Sequence, residues 1–167
     1  WYSTFEPLAL EVADPTFETL RKRARGEDLE VTPLLVTQDV DVPVVTVAVH
    51  RDAWPRFALG SAADLDAADA AVDALSEALQ NWMELRGMGE DEAKAAEGEI
   101  GTYAADPGEA QTMLDTAGSV AADSVGPAES PDGSAELEMV LDRTESGGLD
   151  IYAASVTPRD VEHMGFE

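Results

Sequence analysis

Residues 60–86 read GSAADLDAADAAVDALSEALQNWMELR and contain the longest helix that the sequence predicts. A Gly60-Ser61 turn precedes it, Asp66 is the predicted N-cap, and the helix from Ala67 to Arg86 spans roughly 30 Å. Its apolar side chains share one broad arc. The polar ones form a stripe on the opposite side, namely Asp69, Asp73, Ser76, Glu77, Gln80 and Glu84.

Three carboxylates of this stripe, Asp69, Asp73 and Glu77, follow each other at a spacing of four residues. Like charges at that spacing cost a few tenths of a kcal/mol per pair, so a cation, a basic neighbour or salt should compensate them. Glu77 has the chemistry to coordinate Mg²⁺, and Gln80 the chemistry to orient a phosphate. The spacing alone nevertheless favours a solvated helix face for both residues.

The residues before this stretch predict one helix and three strands. Asp14-Pro15 combines a cap with a proline at the first helical position, which predicts a helix to about Arg25. Two of the predicted strands are β-branched runs, Leu29–Thr37 and Val42–His50, and the second of them is apolar enough to be buried on both faces. Arg56–Leu59 is predicted as a third, short strand.

After Gly89 the sequence predicts shorter elements. In order, they are a helix over Glu90–Glu97, a loop over Gly98–Gly108, a helix from Asp106 to about Gly118, a mobile loop over 119–133, a helix over Ser134–Glu145, a strand over Leu149–Val156 and a last turn capped by Thr157. We therefore expect one domain of the α/β class, with α+β as the alternative. Its mixed sheet of about four strands would pack against helices, with the long helix at the centre.

The net charge of −25 arises from 35 acidic and 10 basic residues spread over all 167 positions. Adaptation to high salt, as in haloarchaeal proteins, and binding of a basic partner both fit this balance, and the even spread favours the first. Nucleic-acid binding is disfavoured because phosphate contacts need clustered Lys and Arg. The one basic cluster, Arg21 to Arg25, is assigned to the C-terminal end of a helix, where its positive charges interact favourably with the helix dipole.

Other residue types narrow the function further. The chain has no cysteine, which excludes disulfides and thiolate sites. His50 and His163 have no partner at a recognisable spacing, so we expect both to be structural. No apolar run approaches the ~20 residues of a membrane span and no signal-peptide pattern opens the chain, so we expect a cytoplasmic protein. Of the remaining cations and aromatics, surface ion pairs are favoured for Arg56 and Arg159, and core or interface positions for Trp1, Trp54 and Trp82.

Four segments in the same order resemble the YcaO-domain family. Ala74-Leu-Ser-Glu-Ala-Leu-Gln80, after its Gly-Ser turn and the acidic Asp66 region, resembles the second nucleotide-binding helix of that family. Asp41-Val-Pro-Val-Val and Trp54-Pro-Arg-Phe-Ala-Leu-Gly are similar to the preceding strand pair, and 156–167 to the family's C-terminal segment. The family often has Arg just after the Gln, whereas this chain has Asn81-Trp82.

The resemblance implies an enzyme that uses ATP and Mg²⁺ to activate a peptide backbone amide, giving an azoline or a thioamide. It implies that Glu77, Gln80, Ser61 and Asp66 contact the nucleotide and that Glu77 and Asp69 bind the metal. A turn is the equally supported alternative for Gly60-Ser61. A peptide or protein would be the substrate. A partner protein and a homodimer are both left open, and nucleic acid and membranes are not expected as partners.

The resemblance further implies that residues 1–167 form one partial domain, the central to C-terminal part of the YcaO fold, since the chain begins at Trp1 and only the second Glu-containing helix of the family has a match. The alternatives are a non-catalytic scaffold or binding module with the same fold and, less favoured, an unrelated α/β domain. A full reading frame that encodes the first such helix would favour the enzyme.

We accordingly predict that the isolated 167 residues bind ATP weakly or not at all and do not turn it over, because half of the contacts to the phosphates would be absent. Isothermal titration with Mg²⁺ and ATP tests this. Micromolar affinity would contradict the partial-site interpretation.

Overall fold

The computed structural model of the chain describes residues 7–38, 40–96, 98–108, 112, 114–116, 118–127 and 133–152. Its helices and strands, in chain order, are β1 (Leu8–Glu11), α1 (Pro15–Arg25), β2 (Glu30–Leu35), β3 (Val44–His50), β4 (Phe57–Ala63), α2 (Ala67–Arg86), α3 (Glu90–Ala96), α4 (Glu99–Ala105), β5 (Ser119–Ala121) and α5 (Gly133–Ser146).

The five described strands form one mixed sheet in the order β4-β3-β2-β1-β5. The pairs β4-β3, β3-β2 and β2-β1 are antiparallel, and the pair β1-β5 is parallel. The predicted mixed sheet against helices is confirmed, with five strands in place of about four.

Strand β3 lies inside the sheet and is buried on both faces, as its apolar run predicts. Val45, Val47 and Val49 belong to the main core, which they share with α1 and α2. Side chains alternate along a strand, so Ala48 points to the other face, where it packs with Phe57. Helix α2 therefore lies on the face of the sheet to which Val45, Val47 and Val49 point.

Helix α2 packs its alanines against the sheet. Asp66 is its N-cap, as predicted, and Oδ1 of Asp66 accepts hydrogen bonds from the backbone N–H groups of Ala68 and Asp69 at 2.7 and 3.4 Å. The fully buried alanines on its inner face are Ala67, Ala70, Ala71, Ala74 and Ala78. Small side chains at these positions allow the helix axis to lie close to the strands.

The predicted Gly60-Ser61 turn is wrong, because β4 continues through both residues to Ala63. A Cβ atom at position 60 would lie 2.2 Å from the Ala74 carbonyl oxygen and 2.4 Å from the Ala78 nitrogen. Glycine is thus required here by the backbone of α2. Only the tertiary contact reveals this, because a glycine followed by serine is also typical of a turn.

Three other differences lie after α2. Residues 99–105 form α4 in place of the predicted loop, and Gly101 packs against α3 so closely that a Cβ there would lie 2.2 Å from the Ala93 oxygen. Within 119–133, where a loop is predicted, Ser119–Ala121 pairs with β1. Leu149–Tyr152, predicted as the start of a strand, form none. The first sheet difference depends on a pairing partner, β1, that is remote in sequence.

Some predicted features fall outside the described residues. They are the rest of the 149–156 strand, the last turn after Thr157, much of the helix from Asp106 to Gly118, and the residues Trp1, Arg159 and His163.

Gly60→Ala should destabilise the fold by about 1–3 kcal/mol or more, because the added methyl group meets rigid backbone and cannot be relieved by a side-chain rotation. Urea unfolding followed by circular dichroism measures this. Gly89→Ala is the matched control, since a Cβ at position 89 meets nothing within 4 Å. Equal free energies of unfolding for the two variants would contradict the contact.

Candidate functional site

The polar stripe of α2 lies on the solvent-exposed side of the helix. All six residues of the stripe are exposed: Asp69, Asp73, Ser76, Glu77, Gln80 and Glu84. A ligand could therefore reach this face without displacing any part of the described core.

Glu77 and Ser61, both predicted to contact a nucleotide, lie together. The Oε2 atom of Glu77 accepts a hydrogen bond from the Ser61 backbone N–H at 2.8 Å. The Ser61 hydroxyl points to the other face of the sheet and lies 2.9 Å from the Thr46 hydroxyl. The contact to Glu77 is thus made by the backbone of Ser61 and not by its side chain.

Gln80 lies near Glu77 on the stripe, but its amide is engaged elsewhere. Its Nε2 atom donates to Oε1 of Glu84 at 3.2 Å, one turn further along the helix. Both partners are exposed, so water competes for this bond and a ligand could take its place at low cost. Gln80 therefore remains accessible beside Glu77.

Asn81 is a residue that the sequence reasoning missed. Its Nδ2 atom donates to the Leu59 carbonyl oxygen at 2.8 Å, so it joins α2 to β4 as Glu77 does. The available signal was its position four residues after Glu77, which places both side chains on the same side of the helix.

Asp66 and Asp69 lie at the N-terminal end of α2. Asp66 caps the helix, and its own N–H donates to Oδ1 of Asp64 at 2.8 Å. The pKa of Asp69 is raised above its ordinary value, first by partial desolvation and then by the negative charges of four neighbouring aspartates, Asp66, Asp64, Asp14 and Asp73. A bound cation would relieve this repulsion.

The two predicted metal ligands are far apart. Asp69 and Glu77 are eight residues apart on one helix, which corresponds to about 12 Å along its axis. Among the described residues, no three His, Asp or Glu side chains are grouped so as to hold a metal ion.

Two open clefts of about 530 Å³ lie elsewhere. One is lined by Asp14, Arg21 and Asp66 among others, and the second by His50, Arg56 and Asp106 among others. Neither includes Glu77 or Gln80. Of the proposed nucleotide contacts, only Asp66 lines one of these two clefts.

His50 and Trp82 have structural partners. The Nε2 atom of His50 lies 3.2 Å from the Thr32 hydroxyl, in agreement with a structural role. Trp82 is buried and its Nε1 atom donates to the Pro55 oxygen at 3.1 Å, while Arg51 and Arg86 lie over its ring. The core position predicted for Trp82 is confirmed.

No helix in the described part of the chain has both the length and the apolar character that crossing a bilayer requires.

Comparison with known proteins assigns the family. The family model described as YcaO cyclodehydratase, ATP- and Mg²⁺-binding, matches residues 1–166. The chain therefore belongs to the YcaO family, and the resemblance seen in the sequence is confirmed. A comparison with curated protein sequences gives no significant match.

Solved structures share the fold at low sequence identity. A heterocyclase in complex with substrate and cofactor superposes with a TM-score of 0.73 at 20% identity, and the heterocyclase TruD with 0.68 at 20%. For each, the alignment covers 89% of this chain and 21% of that chain. YcaO from Methanopyrus kandleri, bound with AMPPCP and Mg²⁺, gives 0.66 at 21% identity and covers 89% of this chain and 40% of that one. The chain thus spans less than half the length of these structures.

Asp69→Asn should raise the free energy of unfolding at pH 7. The folded-state pKa of Asp69 lies above its ordinary value, so ionisation costs stability above that pKa, and the cost disappears as the pH falls through it. The gain from the substitution should therefore vanish at acidic pH, and added Mg²⁺ or salt should reduce it at pH 7. Thermal unfolding across pH and salt measures this.

Asp142→Asn, an exposed change of the same kind on α5 that leaves the aspartates around Asp69 in place, is the control. A stabilisation by Asp69→Asn that is unchanged between acidic and neutral pH would rule out the electrostatic explanation.

Proposed function

We propose that this chain forms part of an ATP- and Mg²⁺-dependent enzyme of the YcaO type that activates a peptide backbone amide, leading to an azoline by cyclodehydration or to a thioamide. The family match over residues 1–166 supports the reaction class. The substrate would be a peptide or a protein in the cytoplasm.

One structural observation carries the proposal for the site. Oε2 of Glu77 is held by the Ser61 N–H, while Oε1 makes no hydrogen bond with any described residue. A carboxylate fixed on one oxygen and exposed on the other presents a defined lone pair toward solvent. This arrangement suits a cation whose remaining ligands come from outside the chain.

The donor set fits Mg²⁺ on the same grounds. Mg²⁺ is usually bound by one or two carboxylates together with substrate phosphates and water, so Glu77 alone is a sufficient protein ligand from this helix. Asp69 lies about 12 Å away along the axis and would contact a different ion or a different part of the ligand. Its raised pKa makes a cation there favourable.

The other residues would position the nucleotide. Gln80 can exchange its exposed contact with Glu84 for a phosphate oxygen or a metal-bound water. Asp66 would act through the helix N-terminus, because its Oδ1 atom already caps α2. Ser61 would act through its N–H on Glu77, since its hydroxyl faces Thr46.

ATP would supply the phosphoryl group that turns the amide oxygen into a leaving group. The chain itself would stabilise the charge of the phosphates and position the reacting groups. These two effects account for most of the catalysis in phosphoryl transfer.

Glu77→Gln in the intact protein should lower the rate of ATP-dependent peptide modification by about 100-fold or more, because it removes a fixed negative charge where the cation would bind. Mass spectrometry of candidate peptides distinguishes the products, since an azoline has lost one water and a thioamide has exchanged oxygen for sulfur.

Asp73→Asn, one turn earlier on the same exposed stripe, is the control and should retain activity. If Glu77→Gln were as active as the unaltered protein at every Mg²⁺ concentration, the site assignment would fail. If the unaltered protein modified no peptide and consumed no ATP, a non-catalytic scaffold would be favoured.

A further inference from the structure

Strand β4 is an edge strand of the described sheet. Its inner side pairs with β3, and its outer side would expose unpaired backbone groups. The groups that face outward include the Leu59 carbonyl and the Ser61 N–H, because both bond to side chains of α2. These two backbone groups at the edge are thus hydrogen-bonded to side chains of a helix and not to another strand.

Two side chains of α2 bond to these two groups with matching polarity. Glu77 accepts from the Ser61 N–H at 2.8 Å, and Asn81 donates to the Leu59 carbonyl at 2.8 Å. We call this pair of hydrogen bonds the edge clamp.

The spacing of the edge clamp follows from the two periodicities. Four residues of α-helix advance about 6 Å, and two residues of strand advance about 6.7 Å. Residues 77 and 81 of a helix that runs antiparallel to β4 therefore lie opposite residues 61 and 59. Gly60, between them, allows the approach of the two backbones that short side chains need to reach the strand.

Resting on the proposed function, we propose that Asn81 is a positioning residue for the Glu77 carboxylate. Asn81 fixes the rotation and height of α2 against β4, and the same rotation and height place Glu77 on the Ser61 N–H. Without the bond to Leu59, the helix has one polar contact fewer to this edge, and the Glu77 carboxylate loses its fixed orientation.

The chemistry of Asn81 suits this role. A carboxamide supplies the N–H donor that a carbonyl oxygen needs, and an aspartate of the same shape supplies none. The side chain is half-buried, so its bond is less exposed to competing water than the bond between Gln80 and Glu84. Asn81 thus has a specific hydrogen-bonding role at the position, just after Gln80, where the family often has an arginine.

The structural arm of the test is hydrogen exchange at the Ser61 amide in the intact protein. Asn81→Asp and Asn81→Ala should speed this exchange by about tenfold or more, as should Glu77→Ala. Ser76→Ala, which removes a hydroxyl bonded only within α2, should leave it unchanged. Unchanged exchange in both Asn81 variants would overturn the proposal, whatever the activity of the protein.

The functional arm is the Mg²⁺ dependence of ATP-driven peptide modification. Asn81→Asp and Asn81→Ala should raise the Mg²⁺ concentration for half-maximal rate about 10- to 100-fold, as loss of a group that orients a metal ligand does, and excess Mg²⁺ should restore much of the rate. Val72→Ala, which trims a core contact of α2 away from the edge clamp, is the control for destabilisation alone. It should lower the melting temperature without changing the Mg²⁺ requirement.

The outcomes separate the two claims. Faster Ser61 exchange with an unchanged Mg²⁺ requirement would reduce Asn81 to a structural residue and overturn the positioning role, while leaving the enzyme proposal intact. No ATP-dependent reaction in the unaltered protein would defeat the enzyme proposal, and with it the positioning of a metal ligand, even if the exchange data established the edge clamp.

Discussion

Strand β4 and helix α2 meet backbone to backbone at Gly60, and the hydrogen bonds of Glu77 and Asn81 to β4 depend on that contact. A Cβ atom at this position would overlap the Ala74 carbonyl. With hydrogen in its place, the helix lies near enough for Glu77 to reach the Ser61 N–H. The buried alanines of α2 serve the same approach, so small side chains on the inner face determine what the outer face can present.

Electrostatic repulsion between carboxylates opposes the packing of the same helix. The chain carries a net charge of −25, and partial desolvation together with the neighbouring aspartates raises the pKa of Asp69. Packing thus holds together carboxylates that repel each other. Cations relieve such repulsion, whether they come from a saline solvent or from a metal bound with phosphate.

Local sequence patterns predicted the elements whose signals lie within a few residues. The Asp66 and Asp14 caps, the extent of α2, the burial of β3 and the family were all accessible in this way. The role of Gly60 was not, because its requirement comes from Ala74 and Ala78, and the pairing of Ser119–Ala121 with β1 spans more than a hundred residues. Of the candidate site, Glu77 and Ser61 were each predicted to contact a nucleotide, but the backbone bond that joins them and the parallel bond of Asn81 required coordinates.

The most direct test of the account is a crystal structure of the protein with AMPPCP and Mn²⁺ in place of Mg²⁺, in which anomalous scattering locates the metal. The account predicts a metal peak in contact with the Glu77 carboxylate through Oε1, with Oε2 still on the Ser61 N–H and the phosphates completing the ligand shell. A metal and nucleotide bound away from the outer face of α2, with Glu77 contacting only Ser61, would contradict it.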